Sequence, residues 1–581
     1  MPLLPTFSRI GRGAARCFRL AATPSPPARG AATATAAGAT PTPAPVHKRS
    51  RGRRNRIKPP PPATPHPPRC PLPPLPPGAV DPPSYAPRLD HKVAALSDLL
   101  AGVGALPSAP LAVYASPPAG YRARAEFRVW HEGGDLHYVM FDDRAPFVAS
   151  GDAGVERPPG GAAPASPSRV KLEAFPIGTP LMNVLMTELM DALREEPGAP
   201  AVVEGGDDGP TPTPPVKKPP PADPSVSPLR ARLFQANFLT TLAGGAVVTL
   251  VYHRPLGDDW AAAAEGLRAR LERAAAAGAV SSGGAWAAGR VDVVGRSRGQ
   301  RVDVAANHTT EVLDLGHGRT PLTYRYVEGA FSQPNPAVCG SMLAWAAAAA
   351  GGCPPTDGGA DPTPPGPTAS RPDDLLELYC GGGTFTAALA PSFRRTLATE
   401  VARTLVAAAA VNLASNGLGD GDGDGTARAA GSNPPVVLVR ADAGDVATAL
   451  ANCEAAAAAG LDALPPPTPD ADPPPMRIGG RSPGAVDPRG WDLDTLFVDP
   501  PRAGVGPACA ASLFPRFDRI LYISCNPATL AADVAGLVGG GGGAGGDGAP
   551  ASHVPVAAAL FDQFPYTDHI ECGLLLERRR R

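Results

Sequence analysis

Leu375-Leu376-Glu377-Leu378-Tyr379-Cys380-Gly381-Gly382-Gly383-Thr384-Phe385 reads as a strand, a glycine loop and the start of a helix. Glycines let a ligand approach the backbone, and a helix N-terminus favours a carboxylate or phosphate. The next apolar run, Arg395 to Thr399, ends at Glu400, twenty-one residues after Tyr379. Further strand-like runs follow at Val436 to Val439, Thr495 to Val498 and Arg519 to Ile523, with helical patterns between them. That alternation predicts an α/β fold with a parallel, doubly wound sheet. Such a sheet carries its chemistry at the C-terminal ends of its strands.

The glycine loop lacks the third glycine of a dinucleotide-binding turn, because position 386 is Thr386. A carboxylate at Glu400 can accept both hydroxyls of a ribose. S-adenosyl-L-methionine offers a ribose and a carboxylate but no pyrophosphate, so it suits this loop better than NAD. The plain alternative is a bare strand–helix turn followed by a surface glutamate.

Two more strand ends carry reactive groups. Asp499-Pro500-Pro501-Arg502-Ala503-Gly504 follows Thr495 to Val498. Leu521-Tyr522-Ile523-Ser524-Cys525-Asn526-Pro527 delivers a cysteine onto a turn, which Asn-Pro ends. A lone cysteine is more often a buried structural residue, and an acid-Pro-Pro run alone is a turn. The two stand twenty-six residues and one strand apart, which makes the pair far more specific than either. His569-Ile570-Glu571-Cys572-Gly573 follows near the C-terminus. A glutamate between Ile570 and Leu574 is expected to be partly buried and hence more basic. On chemistry alone His569 competes with it as a base.

Together these stretches resemble the RNA uracil-C5 methyltransferase family, its tRNA-modifying branch most closely. The resemblance runs with interruptions from about Tyr121 to Leu576. It implies a C-terminal Rossmann-like methyltransferase domain that uses S-adenosyl-L-methionine, and a uridine in the tRNA T-loop (position 54 by tRNA convention) as target. Uracil C5 is a weak nucleophile, and a thiolate added at C6 makes it enolate-like. The resemblance gives that thiolate to Cys525 and removal of the C5 proton to Glu571. A free thiol ionises at about 8.5, so the site must lower that value or deprotonate Cys525 when RNA arrives. Donor contacts carry over onto Gln333, Tyr379, Glu400 and Asp499. Thr384 stands where the family has asparagine, and a hydroxyl replaces only part of an amide's bonding.

The N-terminal part is expected to hold the RNA. In Arg122-Ala123-Arg124-Ala125-Glu126-Phe127-Arg128 the cations alternate with apolar residues, so Arg124 and Arg128 share one strand face. Phe234 and His253 match family positions near the target loop, where an aromatic ring can stack on a base. The alternatives are a ribosomal RNA uracil-C5 methyltransferase and a non-catalytic RNA-folding factor. Relatives of the ribosomal kind often carry an iron–sulfur cysteine cluster, whereas Cys17 and Cys70 are the only cysteines before Cys339. Intact Cys525 and Glu571 argue against the folding factor.

Composition bounds the rest. Residues 1 to 80 contain thirteen Lys or Arg and no acid. Taking those from the 53 basic residues of the chain leaves 40 against 54 acids, so the body is acidic and generic electrostatic RNA binding is disfavoured. An acid-free stretch rich in Ala, Pro and Arg predicts a transit segment to a chloroplast or mitochondrion. The cluster Lys48 to Arg56 leaves a nuclear signal, and a nuclear or cytoplasmic site, as the alternative. Residues 81 to 330 are expected to form an α+β RNA-binding domain and 331 to 581 the catalytic one. Folded sequence is expected from about Tyr85, with a helix over Asp90 to Val103, a hairpin over Arg122 to Phe141 and a core-facing stripe at Met182, Leu185, Met186, Leu189 and Leu193. Pro/Gly-rich inserts, read as disordered, are expected at 151–168, 197–228, 351–371, 417–434, 462–488 and 538–551. The nine cysteines show no metal-like or disulfide-framework spacing, no apolar run suggests a membrane span, and a monomer is expected.

Overall fold

The computed structural model describes residues 69–146, 167–195, 227–284, 286–316, 318–352, 372–419, 435–460, 476–479, 484–539 and 551–580. Two large sheets organise them. The catalytic sheet has eight strands in the order Ala112–Tyr114, His553–Phe561, Glu571–Arg578, Arg519–Ser524, Leu493–Val498, Asp374–Leu378, Thr396–Thr399 and Val436–Val439. Its strands are parallel except Glu571–Arg578, which runs antiparallel to both neighbours. Central strands such as Asp374–Leu378 and Arg519–Ser524 are buried along their whole length, because helices cover both faces. This is the doubly wound fold that the sequence implied, with the antiparallel hairpin His553–Phe561 and Glu571–Arg578 added between Arg519–Ser524 and the edge strand Ala112–Tyr114.

The N-terminal sheet has seven strands in the order Pro167–Leu172, Asp135–Pro146, Arg124–Glu132, Leu233–Thr240, Ala246–Tyr252, Val291–Ser297 and Gln300–Asp303. Ala125, Phe127 and Val129 turn inward while Arg124, Glu126 and Arg128 turn outward, as the period-two pattern predicted. The helix Pro180–Glu195 lays Met182, Leu185, Met186, Leu189 and Leu193 into the core beneath this sheet, each at most 4% exposed. Burying such a side chain contributes about 1.5–3 kcal/mol, so the stripe is a main support of the domain.

The expected boundaries need correction. The first helix runs Pro82–Gly102, starting well before Asp90 and continuing through Pro87. It packs with the core of the catalytic sheet, and the short strand Ala112–Tyr114 is that sheet's edge. The hairpin His308–Leu313 and Leu322–Val327 likewise places Leu313, Tyr324 and Tyr326 in the catalytic core. The N-terminal sheet therefore draws on a narrower span than 81–330. Residues 69–80 are folded rather than part of a disordered leader: Leu75 and Val80 pack on the N-terminal core, and Arg88 donates to the Pro73 carbonyl at 2.5 Å. Residues 1–68 and most of the expected inserts lie outside the described residues. Within the expected insert at 462–488, Ile478 is buried and pairs with Val486, so this part belongs to the fold.

Candidate active site

Five neighbouring strands bring the candidate residues to one end of the catalytic sheet. In spatial order these are Glu571 (first residue of its strand), Cys525, Asp499, Tyr379 and Glu400. Leu378 pairs with Val498 on one side and Thr399 on the other, and Val498 pairs with Tyr522. Neighbouring strands lie about 4.8 Å apart, so a ligand over the glycine loop lies close to Asp499 and Cys525.

Antiparallel pairing brings Cys525 and Glu571 to the same sheet end: the ladder closes at Ser524 opposite Cys572, Cys525 follows directly on one strand and Glu571 opens the other, and the Glu571 carboxyl acts on the Cys525 thiol. The turn after Ser524 is fixed by its own hydroxyl, which accepts from the Asn526 amide at 3.0 Å. The Asn526 side chain donates to the Arg502 carbonyl at 3.0 Å, tying this turn to the Asp499–Gly504 loop. Asp533 holds that loop from beneath, accepting from the Val505 amide at 2.8 Å and from the Tyr522 hydroxyl at 2.8 Å. Gly504 has φ +75°, and a side chain there would come within 2.7 Å of the Asp533 carboxylate.

The electrostatics of this end are unusual. Burial, then the carboxyls of Glu571 and Asp499, push the Cys525 thiol up to about 11, while Arg502 opposes them by charge and hydrogen bonding. Glu571 is 3% exposed, and burial followed by Asp499 holds its carboxyl well above the usual range. Burial alone raises Asp499 to about 7. Burial therefore favours the protonated form of both the Cys525 thiol and the Glu571 carboxyl in the resting site. His569 differs: its ring is exposed, 3.4 Å from the Arg502 guanidinium, and burial of part of the ring, then Arg502 and Lys92, lower its pKa.

Around the glycine loop the backbone adopts strained conformations. Tyr379 has φ +60°, a conformation rare outside glycine, and Gly381 and Gly383 follow at +56° and +77°. Glu400 is 9% exposed and accepts from the Gly381 amide at 3.2 Å and the Ala402 amide at 2.7 Å. Each oxygen keeps a lone pair, so the carboxylate is oriented and can still accept hydroxyls. Thr384 opens the short helix Thr384–Leu389, half-buried, its carbonyl accepting from the Tyr324 hydroxyl at 2.8 Å. Gln333 is half-buried in the segment before the helix Pro336–Ala350. A glycine loop, an oriented carboxylate on the next strand and a helix N-terminus fit the ribose and amino-acid ends of S-adenosyl-L-methionine.

On the N-terminal sheet three of the four expected RNA residues come together. The Arg128 guanidinium lies 3.9 Å over the Phe234 ring, and the His253 ring is 4.0 Å from Phe234, tilted by 51°. Arg124 stands apart from them. It donates to the Ala330 carbonyl at 2.5 Å and lines a cavity of about 360 Å³ with Gln235, Asn237, Arg296 and Glu328.

Sequence reasoning gave no role to several residues that shape the site. Arg502 was visible only as part of its motif. Asn412 donates to the Gly382 carbonyl at 2.9 Å from a helix thirty residues on, which no local pattern announces. Gln563 is buried and accepts from the Asn335 amide at 3.2 Å. Among the described residues no cluster of three or more His, Cys, Asp or Glu could hold a metal ion, and no helix is long and apolar enough to cross a membrane.

Fold and site together define a methyltransferase of the doubly wound class that takes its methyl group from S-adenosyl-L-methionine. The family model described as tRNA (Uracil-5-)-methyltransferase matches residues 84–200, 224–420 and 484–579. A tRNA/tmRNA (uracil-C(5))-methyltransferase from Ectopseudomonas mendocina is 37% identical over 499 residues, covering 86% of this chain and 98% of that protein. One of the same description from Azotobacter vinelandii is 38% identical with the same coverage. Among solved structures, the Pyrococcus abyssi tRNA (uracil-54, C5)-methyltransferase in complex with S-adenosyl-L-homocysteine aligns with a TM-score of 0.45 at 14% identity, over 85% of this chain and 83% of that one. The chain belongs to the tRNA (uracil-5-)-methyltransferase family, enzymes that transfer a methyl group from S-adenosyl-L-methionine to C5 of a uracil in tRNA.

Proposed function

We propose that this enzyme makes 5-methyluridine at the T-loop uridine of tRNA, position 54 by tRNA convention, through a covalent adduct between Cys525 and uracil C6. The observation that supports the reading is that the Ser524–Cys572 end of the ladder brings Cys525 and Glu571 to one sheet end, where the Glu571 carboxyl acts on the Cys525 thiol. S-adenosyl-L-methionine, held by Glu400 and the glycine loop with Gln333, Tyr379, Thr384 and Asp499, supplies an electrophilic methyl group. The Cys525 thiol gives its proton to solvent and its sulfur adds to C6, which leaves C5 enolate-like; C5 takes the methyl group, and the donor's sulfur leaves as the thioether S-adenosyl-L-homocysteine. Glu571, having released its own proton to solvent before this step, accepts the proton from C5. The electrons of that C–H bond re-form the C5–C6 double bond and the Cys525 sulfur leaves as thiolate. Arg502 favours the thiolate at both ends of this cycle. Arg128, Phe234 and His253 offer a stacking surface for the unstacked bases of a loop.

The test is RNA carrying 5-fluorouridine at the target position, where fluorine cannot leave as a cation. The expected result is a covalent enzyme–RNA band on a denaturing gel, absent in Cys525→Ser. A band that persists in Cys525→Ser, or methylation of a T-loop hairpin whose target uridine is replaced by cytidine, sinks the reading. We also read residues 1–68 as a transit segment to a chloroplast or mitochondrion. A fluorescent protein carrying these residues that stays in the cytoplasm or enters the nucleus refutes that part alone.

A further inference from the structure

Glu571 is delivered by a nine-residue loop, residues 562–570, that joins two paired strands. Phe561 and Glu571 face each other across the pair, so a far shorter turn would close the hairpin. The loop has no regular secondary structure and folds inward, with Asp562, Gln563, Tyr566 and Ile570 all buried. Buried irregular backbone needs partners for its polar groups. They come from the N-terminal part of the chain. The Asp562 amide donates to the Tyr114 carbonyl at 2.9 Å, and the Tyr566 hydroxyl donates to the Pro118 carbonyl at 2.8 Å. The central anchor is Lys92, in the helix Pro82–Gly102. Its ammonium donates to the Asp562 carboxylate at 2.7 Å and to the Phe564 carbonyl at 2.9 Å, with side-chain exposures of 4% and 2% for Lys92 and Asp562.

We propose that Lys92 is a positioning residue for the C5 deprotonation step: by gripping Asp562 and the Phe564 carbonyl it fixes the loop that sets Glu571 against Cys525. The inference rests on the reading of Glu571 as the base. Stability alone is a poor reason for this ion pair. Burial depresses the pKa of Lys92 by more than Asp562 restores, and replacing a buried pair by apolar residues of similar size is often neutral or stabilising. What an apolar pair cannot supply is the second bond, to the Phe564 carbonyl, which fixes the course of the loop two residues further on.

The experiment compares full-length Lys92→Met, Lys92→Arg and the double variant Lys92→Met/Asp562→Leu with wild type and with Glu571→Gln. Lys92→Met is expected to lower kcat at least tenfold, with KM for S-adenosyl-L-methionine and for tRNA within twofold. In single-turnover runs adduct formation should keep its rate while release of methylated RNA slows. The double variant should recover the melting temperature of wild type but not its kcat, and Lys92→Arg should recover part of kcat. If Lys92→Met does not fold, the double variant and Lys92→Arg carry the test. A double variant that regains kcat together with its melting temperature, or variants that fold and turn over normally, overturn the proposal. Glu571→Gln separates the two failures. Normal turnover there removes the base assignment itself, whereas trapped adduct there with normal turnover in the Lys92 variants removes only the role of Lys92.

Discussion

Replacing Glu571 by glutamine isolates one proton transfer. The carboxyl is 3% exposed, and burial holds it well above the usual carboxylate range. An amide keeps the shape of the protonated carboxyl, and the fold should lose no more than about 0.5 kcal/mol, a shift of roughly 1 °C in melting temperature. Adduct formation and methylation need only Cys525 and the donor, so they should proceed. Removal of the C5 proton should fail, and loss of a general base costs roughly 10²–10⁴-fold in rate. The assay is a denaturing gel of enzyme mixed with radiolabelled T-loop RNA and S-adenosyl-L-methionine. A slow-migrating band containing methylated RNA should accumulate and decay only slowly. If Glu571→Gln turns over normally while His569→Ala accumulates the band, the base is His569, and the reasoning from burial and strand register fails. If Glu571→Gln instead loses adduct formation as well, the carboxyl acts before methylation, in activating Cys525.

Glu400→Ala should weaken S-adenosyl-L-methionine binding roughly ten- to a hundredfold, the worth of about 1.5–3 kcal/mol of charge-assisted hydrogen bonding, with tRNA affinity unchanged; calorimetry that finds equal donor affinity removes this contact. Turnover should rise with pH across the neutral range, because Cys525 at about 11 and the raised Glu571 hold protons that oppose formation of the thiolate and of the base; a pH–rate profile that falls from pH 6 to 9 contradicts this. Deleting residues 1–68 should leave kcat and melting temperature intact in vitro, whereas deleting 1–80 should lower the melting temperature by removing the Leu75 and Val80 contacts and the Pro73 acceptor of Arg88; thermal unfolding of the two truncations decides. Phe234→Ala should weaken tRNA binding by about 1–3 kcal/mol, the usual worth of a stacked base, while leaving donor binding alone; equal tRNA affinity in a filter-binding titration removes the stacking surface.

The sequence by itself determined the doubly wound fold, the glycine loop, the placement of reactive side chains at three strand ends, the inward alternation of Ala125, Phe127 and Val129, and the Met/Leu stripe of one helix. Each of these rests on periodicity or adjacency over about ten residues, which local sterics and burial enforce. Tertiary structure alone decided what lies far apart in the chain. A three-residue strand such as Ala112–Tyr114 has too little pattern to betray which sheet it joins, and Pro87 argues locally against the helix that packing carries through it. The nearness of Cys525 to Glu571 depends on strands whose partners, Ser524 and Cys572, lie 48 residues apart. The protonation of that pair depends on how much water three dimensions exclude, and the grip of Lys92 on Asp562 spans 470 residues. Burial and strand pairing are properties of the closed fold, so they decide the state of the site where no local pattern in the chain can express it.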